Sequence, residues 1–213
     1  MSGTSDFEQN KYIDATLRGQ TYTALSNVYV ALLKCTKGTV ARSTAYALND
    51  TLCVVTPDGF NHLYKVTTAG TTAGSAPSYL GVSGEAITDG TAVLTEQSAA
   101  LEANTSMNEV SGGAYARVTV ACSLAAWAGS QSAGSTTASS GTSATTSNNA
   151  AITFTQATAN WTTSPEMIWG FALYDASTSG NLIRYGGFTV AQSVLNTNTF
   201  SIASGQMTIK VDK

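Results

Sequence analysis

A mainly β fold is what this 213-residue chain predicts: a β-sandwich or jelly-roll-like domain behind one short N-terminal helix. Three observations carry it. Short β-branched and aromatic runs recur from residue 27 to the end. Turn-forming Gly, Ser, Asn and Asp separate them at close intervals, as in a sandwich or barrel. Only one segment keeps a helical period.

That segment lies at the start. Ser5 and Glu8 have the spacing of a capping box, Ile13 and Leu17 share one face at i, i+4, and Gly19 is placed to stop the helix. The helix is expected over about residues 6–18. "NVYVALLK" (27–34) is nearly all apolar, the pattern of a strand buried on both faces. "YARVTVAC" (115–122) alternates, one face in and one face out. "AITFT" (151–155), "MIWGFALYD" (167–175), "NLIRYGGFTV" (181–190), "TFSIA" (199–203) and "QMTIKVD" (206–212) follow as further strands. The "ASG" between the last two predicts a tight hairpin. "GSQSAGSTTASSGTSATTSNN" (129–149) is a flexible loop by composition, or an arm ordered by a neighbouring subunit.

Composition narrows the functional classes. Charged residues make up 11% of the chain, against roughly 25% in ordinary soluble domains. A net charge of −3 offers no basic face for phosphates, so no nucleic-acid partner is expected. No run approaches the roughly 18 apolar residues of a membrane span, and no membrane partner is expected. The polar "MSGTSDFEQNKYID" lacks the apolar core of a secretory signal, which points to synthesis and assembly in a cytoplasm. Cys35, Cys53 and Cys122 are odd in number and widely spaced; they read as buried small hydrophobes and not as a disulfide framework.

Catalytic constellations are hard to build. The single histidine, His62, stands beside Tyr64 in a strand or turn and reads as structural. The cysteines lack zinc spacing. The thirteen acids sit mostly at turns and ends, where Asp bends or caps the backbone; a polysaccharide or cell-wall hydrolase would need two of them paired in space. "GTTAGSAPS" lacks the Lys-Ser/Thr of a phosphate loop, and "SGGAYAR" reads as a bulge or turn entering a sheet. Catalytic, cofactor and metal residues are therefore expected to be none. Trp169 lies in an apolar strand and reads as core. Trp161, in the loop "TANWTTSPE", is either core or an aromatic anchor on a neighbouring subunit.

Both ends of the chain resemble one bacteriophage pattern. It runs through "NKYIDATLRGQTYTALSNVYVALL", "EVSGGAYARVTV" (109–120), "AITF" (151–154), the stretch from Trp169 to Gly186, and a closing segment from Phe200 to Ile209. The pattern resembles phage virion proteins of the head-decoration, spike or tail-fibre kind, over roughly 130 residues. Its most specific piece is "EVSGGAYAR". The middle, "RSTAYALNDTLCV" and "NHLYKVTTAGTTAGSAPSYLGVSGEAITDGTAVL", resembles small all-β modules inserted in phage structural proteins. Those are similar to carbohydrate-binding modules whose exposed aromatic rings stack on sugars. At the stacking positions this chain carries Tyr79 and Leu94 instead of Trp, while Tyr46 and Tyr64 more often pack inside.

The resemblances imply a host β-sandwich of residues 1–38 and 103–213, interrupted by a guest module of residues 39–102. They imply a non-enzymatic virion structural protein: first a capsid decoration (cement) or head spike, alternatively a tail-fibre or tail-adaptor component. The implied partners are the major capsid protein or tail proteins and further copies of the chain, trimers being usual for such spikes. Tyr79 and Trp161 are the candidate partner or glycan contacts, a host surface glycan being the ligand implied.

Overall fold

The structure, a computed structural model, describes residues 2–105, 107–129 and 145–210. Most of the low-complexity run expected as a loop or arm over 129–149 lies outside the described residues. Fifteen strands and two helices form among those described. The N-terminal part contains β1 (Ser2–Thr4), α1 (Asp6–Leu17) and β2 (Asn27–Cys35). The middle contains β3 (Ala45–Tyr46), β4 (Thr51–Val55), β5 (Asn61–Thr68), β6 (Gly70–Thr71), β7 (Ala86–Asp89) and β8 (Ala92–Glu96), then the short helix α2 (Ser98–Glu102). The remainder contains β9 (Val118–Ala121), β10 (Thr145–Ser147), β11 (Ile152–Thr153), β12 (Met167–Tyr174), β13 (Leu182–Gln192), β14 (Ser201–Ile202) and β15 (Thr208–Lys210). The fold is mainly β, with several antiparallel sheets, consistent with a β-sandwich.

One antiparallel sheet organises everything else, in the order β1-β13-β12-β2-β9. Its fourth strand, β2, which lies between β12 and β9, is the one the sequence marks as buried on both faces. Val28, Val30 and Leu32 of β2 enter one core, and Ala31, Leu33 and Cys35 enter another. The same division holds in β12, where a bulge adjusts it. Ile168 pairs with Lys34 and Gly170 with Leu33, so two residues of β12 oppose one step of β2. The extra residue lets Ile168 and Phe171, three apart, point into the same core, while Trp169 points into the other.

The first core is closed by two-stranded sheets, β10-β15 and β11-β14, with Phe154, Trp161, Phe200 and Met207 filling it. The second is closed by a four-stranded sheet, β4-β5-β8-β7, with Cys53 and Leu63 facing the large sheet, and by Leu101 of α2. That smaller sheet keeps a third core on its far side, made of Tyr46, Leu52, Val54, Tyr64, Val66, Tyr79, Ala92 and Leu94. Sheets β4-β5-β8-β7 and β1-β13-β12-β2-β9 therefore share a core, with alternate residues of β4 and β5 serving two cores. Their backbones meet at one point. A Cβ on Gly187 would lie 1.9 Å from the Asn61 backbone carbonyl, and the Asn61 side-chain amide donates to the Phe188 carbonyl at 2.9 Å. Glycine is there because β5 rests on β13.

Local signals explain the ends of the helix. Ser5 caps α1, its hydroxyl accepting from the Glu8 amide at 3.1 Å and donating to the Leu182 carbonyl at 2.5 Å. Only half of a capping box forms. The Ser5 amide is already used on the Ile183 carbonyl, so the Glu8 carboxylate takes the Tyr22 hydroxyl instead. Gly19 adopts φ +66° just past the end.

Three expectations need correction. The last two strands do not form a hairpin with each other: β14 pairs with β11 and β15 with β10. Asn148 holds them apart. Its side-chain amide donates to the carbonyls of Ala150 and Ala203, and its side-chain oxygen accepts from the Met207 amide. Cys122 is exposed, unlike Cys35 and Cys53. The helix α2 was not expected; it is five residues long, too short to show a period.

Candidate functional site

Tyr79 reaches its position through the segment that follows β5: β6 pairs with β3, and residues 72–78 then lead back past Pro77. The ring is 7% exposed and packs edge-on against Tyr64, with centroids 5.1 Å apart. Its hydroxyl donates to Asp89 at 2.6 Å; Arg42 and the Ala73 amide donate to the same carboxylate at 2.7 and 2.8 Å. Burial alone would raise the Asp89 carboxyl. The three donors outweigh it and hold Asp89 below the usual carboxylate range. Burial, reinforced by Asp89, pushes the Tyr79 phenol up to about 12. Tyr79 is thus a core ring with a fixed hydroxyl, and its face is not offered to a sugar. Beside it runs an open groove of about 670 Å³ lined by Val40, Arg42, Val54, Val55 and Pro77, which reaches the Tyr79 side chain. A second groove, of about 510 Å³, separates Lys37–Tyr46 from Pro165–Met167.

His62 is buried between two carboxylates, Nδ1 lying 3.1 Å from Glu96 and Nε2 3.2 Å from Asp58. The Ser98 hydroxyl and amide both donate to Glu96, at 2.6 and 2.8 Å. The serine is therefore bonded to the acid, in a network that links β5, β8 and α2. Tyr46 and Tyr64 are buried as well: the Tyr46 hydroxyl accepts from Ala41, and the Tyr64 hydroxyl donates to Glu85.

The segment "EVSGGAYAR" forms a latch on the edge of the large sheet. Residues 108–110 extend pairing along β2, through Lys34 to Asn108 and Val110 to Leu32. Gly112 and Gly113 then turn with positive φ, and the Gly113 carbonyl accepts the Trp161 indole at 2.9 Å. The Tyr115 hydroxyl accepts from the Leu32 amide and donates to Glu109. Arg117 closes the latch, with Nε and Nη2 bidentate on Glu109 at 2.9 and 2.7 Å. The guanidinium lies 3.6 Å over the Tyr174 ring, and Nη1 holds the Ala176 and Ser179 carbonyls of the β12–β13 turn. Burial would lower Arg117, but Glu109 more than offsets it. Trp161 is 2% exposed and stacks edge-on with Tyr115 and Phe154. It is core within the chain. The sequence marks these residues as a motif, but that Glu109 pairs with Arg117 follows only from the turn between them.

Exposed apolar side chains gather on α1 and just beyond it. Tyr12, Ile13, Leu17 and Tyr22 are exposed, Leu17 to 81%, and no residue of the helix is fully buried. Phe7 and the capping bonds of Ser5 tie its first turn to the body. Ile13 and Leu17, one turn apart, point away. Other exposed apolar residues are dispersed: Leu48, Val55, Leu80 and Val82 between residues 39 and 102, and Leu124, Val190 and Leu195 elsewhere. Among the described residues no group of three or more His, Cys, Asp or Glu is placed to hold a metal ion, and no helix is long and apolar enough to cross a membrane.

No curated protein matches the chain. The family model described as podophage GP4 fiber I protein gp80 matches residues 82–210, which takes in every described strand from β7 onward, the latch and Trp161. That segment is more than half of the sequence, and the chain belongs to the podophage GP4 fiber I protein gp80 family, a phage structural fibre family whose members are virion components.

Proposed function

We propose that the chain is a non-enzymatic subunit seated on the outer shell of the bacteriophage particle, a decoration or spike, with α1 as its attachment element. One observation carries this: Ile13 and Leu17 stand out from a helix anchored at its first turn, while both faces of the large sheet are already covered. Apolar side chains held away from their own core gain by burial on another surface, about 1.5–3 kcal/mol for each one fully buried. In this reading residues 1–38 and 103–213 form the host unit, and residues 39–102, whose third core is drawn entirely from between Val40 and Leu94, form an inserted unit facing outward. The partners are the major capsid protein and further copies of the chain, in a symmetric set such as a trimer. A host glycan would have to use the groove beside Tyr79.

The experiment is saturation binding of purified protein to undecorated heads, repeated with Leu17→Asp. Saturable binding by the parent and at least a tenfold loss in the variant, with unfolding unchanged, supports the reading. Equal binding by both rejects α1 as the attachment element. Binding to isolated tails but not to heads moves the chain to a second reading, a tail-fibre or tail-adaptor component, which the word fiber in the family description favours.

A further inference from the structure

The seam between the large sheet and the sheet of residues 51–96 contains two cysteines, one from each side. Cys35 ends β2, Cys53 lies in the middle of β4, and both are fully buried in the same core. They converge on one backbone group: the Cys35 thiol lies 3.6 Å from the Gly38 carbonyl, and the Cys53 amide donates to that carbonyl at 2.9 Å. The chain from Cys35 turns at Gly38 (φ +64°) and runs beside β4, Thr39 bridging Cys53 in parallel. The two side chains thus enter one space from neighbouring strands, with Leu33, Leu63 and Trp169 in the same core.

We infer that Cys35 and Cys53 are a latent cross-link site, reduced during assembly and closed to a disulfide by a small peroxide, which staples the two sheets together. Either buried thiol, once deprotonated, can be the attacking sulfur, and the product is the same disulfide. With Cys35 first, its thiolate attacks one oxygen of hydrogen peroxide. An S–O bond forms, the O–O bond breaks, and the departing hydroxide takes a proton to become water. Cys53, losing its proton, then attacks the Cys35 sulfenic sulfur; the S–S bond forms and the S–O bond breaks, releasing a second water. Two thiols lose two electrons and peroxide gains them. A small oxidant is required because both sulfurs are buried. Cys122 is exposed and separate, so it serves as the internal comparison.

The test is a Cys122→Ser chain treated with hydrogen peroxide in its native state, quenched, then unfolded and alkylated. The expected result is a loss of two hydrogens, no alkylation, a linked peptide pair spanning residues 35 and 53, and a higher unfolding temperature that dithiothreitol reverses. In Cys53→Ser, Cys35 should stop at a sulfenic acid that dimedone captures. Two alkylatable cysteines after peroxide, or separate sulfinic acids without a linked peptide, overturns the proposal.

Discussion

Gly187→Ala tests whether the two sheets meet as closely as described. The new Cβ would stand 1.9 Å from the Asn61 carbonyl oxygen, where ordinary contact begins at 3.4 Å. Backbone faces backbone here, so no flexible side chain can yield, and β5 must lift by about 1.5 Å. That shift stretches the Asn61–Phe188 hydrogen bond from 2.9 Å beyond bonding range and loosens Leu63 and Cys53 in the shared core. Overpacking typically costs about 1–3 kcal/mol, and the lost bond adds about 1 kcal/mol. A total of about 2–4 kcal/mol lowers Tm by about 4–16 °C in a chain of this size. Thermal unfolding followed by circular dichroism measures it. Gly74→Ala is the control, because its Cβ would meet only the Ser43 hydroxyl, at 3.8 Å. If Gly187→Ala melts within about 1 °C of the parent, the close approach of β5 to β13 is wrong.

Three further outcomes follow from the site geometry. Glu109→Gln leaves the Arg117 guanidinium, whose side chain is 8% exposed, without its bidentate carboxylate, and should cost about 3 kcal/mol in urea unfolding at unchanged slope; a loss under 1 kcal/mol would show that the latch does not hold the sheet edge. Asp89 sits below its unfolded pKa, and Asp58 is held at about 2 because the Phe60 amide, Thr56 and His62 outweigh burial. Their stabilisation is complete above about pH 4 and is lost as pH falls towards 2, so Asp89→Asn should flatten the acid limb of stability against pH, and an unaltered limb would reject the assignment. Tyr79→Phe removes a hydroxyl from Asp89 and should cost about 1–3 kcal/mol, whereas Tyr79→Ala also empties part of the third core and should cost about 3–5 kcal/mol; equal stability in all three chains would mean that the ring is not core.

The contrast between β2 and Tyr79 shows what sequence carries. The two-sided burial of β2 is written in six continuous apolar residues, Val28 to Leu33, because both neighbours are fixed by the same alternation. The helix cap and the β12–β13 turn are equally local, since Ser5, Gly19 and "DASTSG" act on backbone within a few residues. Tyr79 is different. An aromatic after a proline looks the same whether its face meets solvent or Tyr64, and only the path of the chain from β6 back past Pro77 decides. The divergence of β14 and β15 is non-local too: Asn148, more than fifty residues away in sequence, supplies the bonds that separate them. The bulge at Trp169–Gly170 shows itself only against the register of β2, although the three-residue spacing of Ile168 and Phe171 is its trace.

The architecture also bears on how the family segment stands by itself. Residues 82–210 supply β9, β12 and β13, yet β2, which lies between β12 and β9, comes from residues 27–35. Without it β12 would lose its whole ladder to β2, from Met167–Cys35 to Tyr174–Tyr29, and β9 would lose its partner in the sheet. Val30, Leu32 and Leu33 would leave two cores at once, and the Tyr115 hydroxyl would lose the Leu32 amide that positions the latch. An unpaired central edge with apolar residues on both sides aggregates sooner than it folds. The N-terminal strand is therefore a structural part of the unit that the matched segment builds. α1, joined to that strand by nine residues and tied to β13 through Ser5, is carried on the same rigid sheet. A load applied at Ile13 and Leu17 passes through Ser5 to β13 and, along the ladder to β12 and β2, to the latch at Arg117, so attachment at the helix would be resisted by the whole sheet and not by a flexible tether.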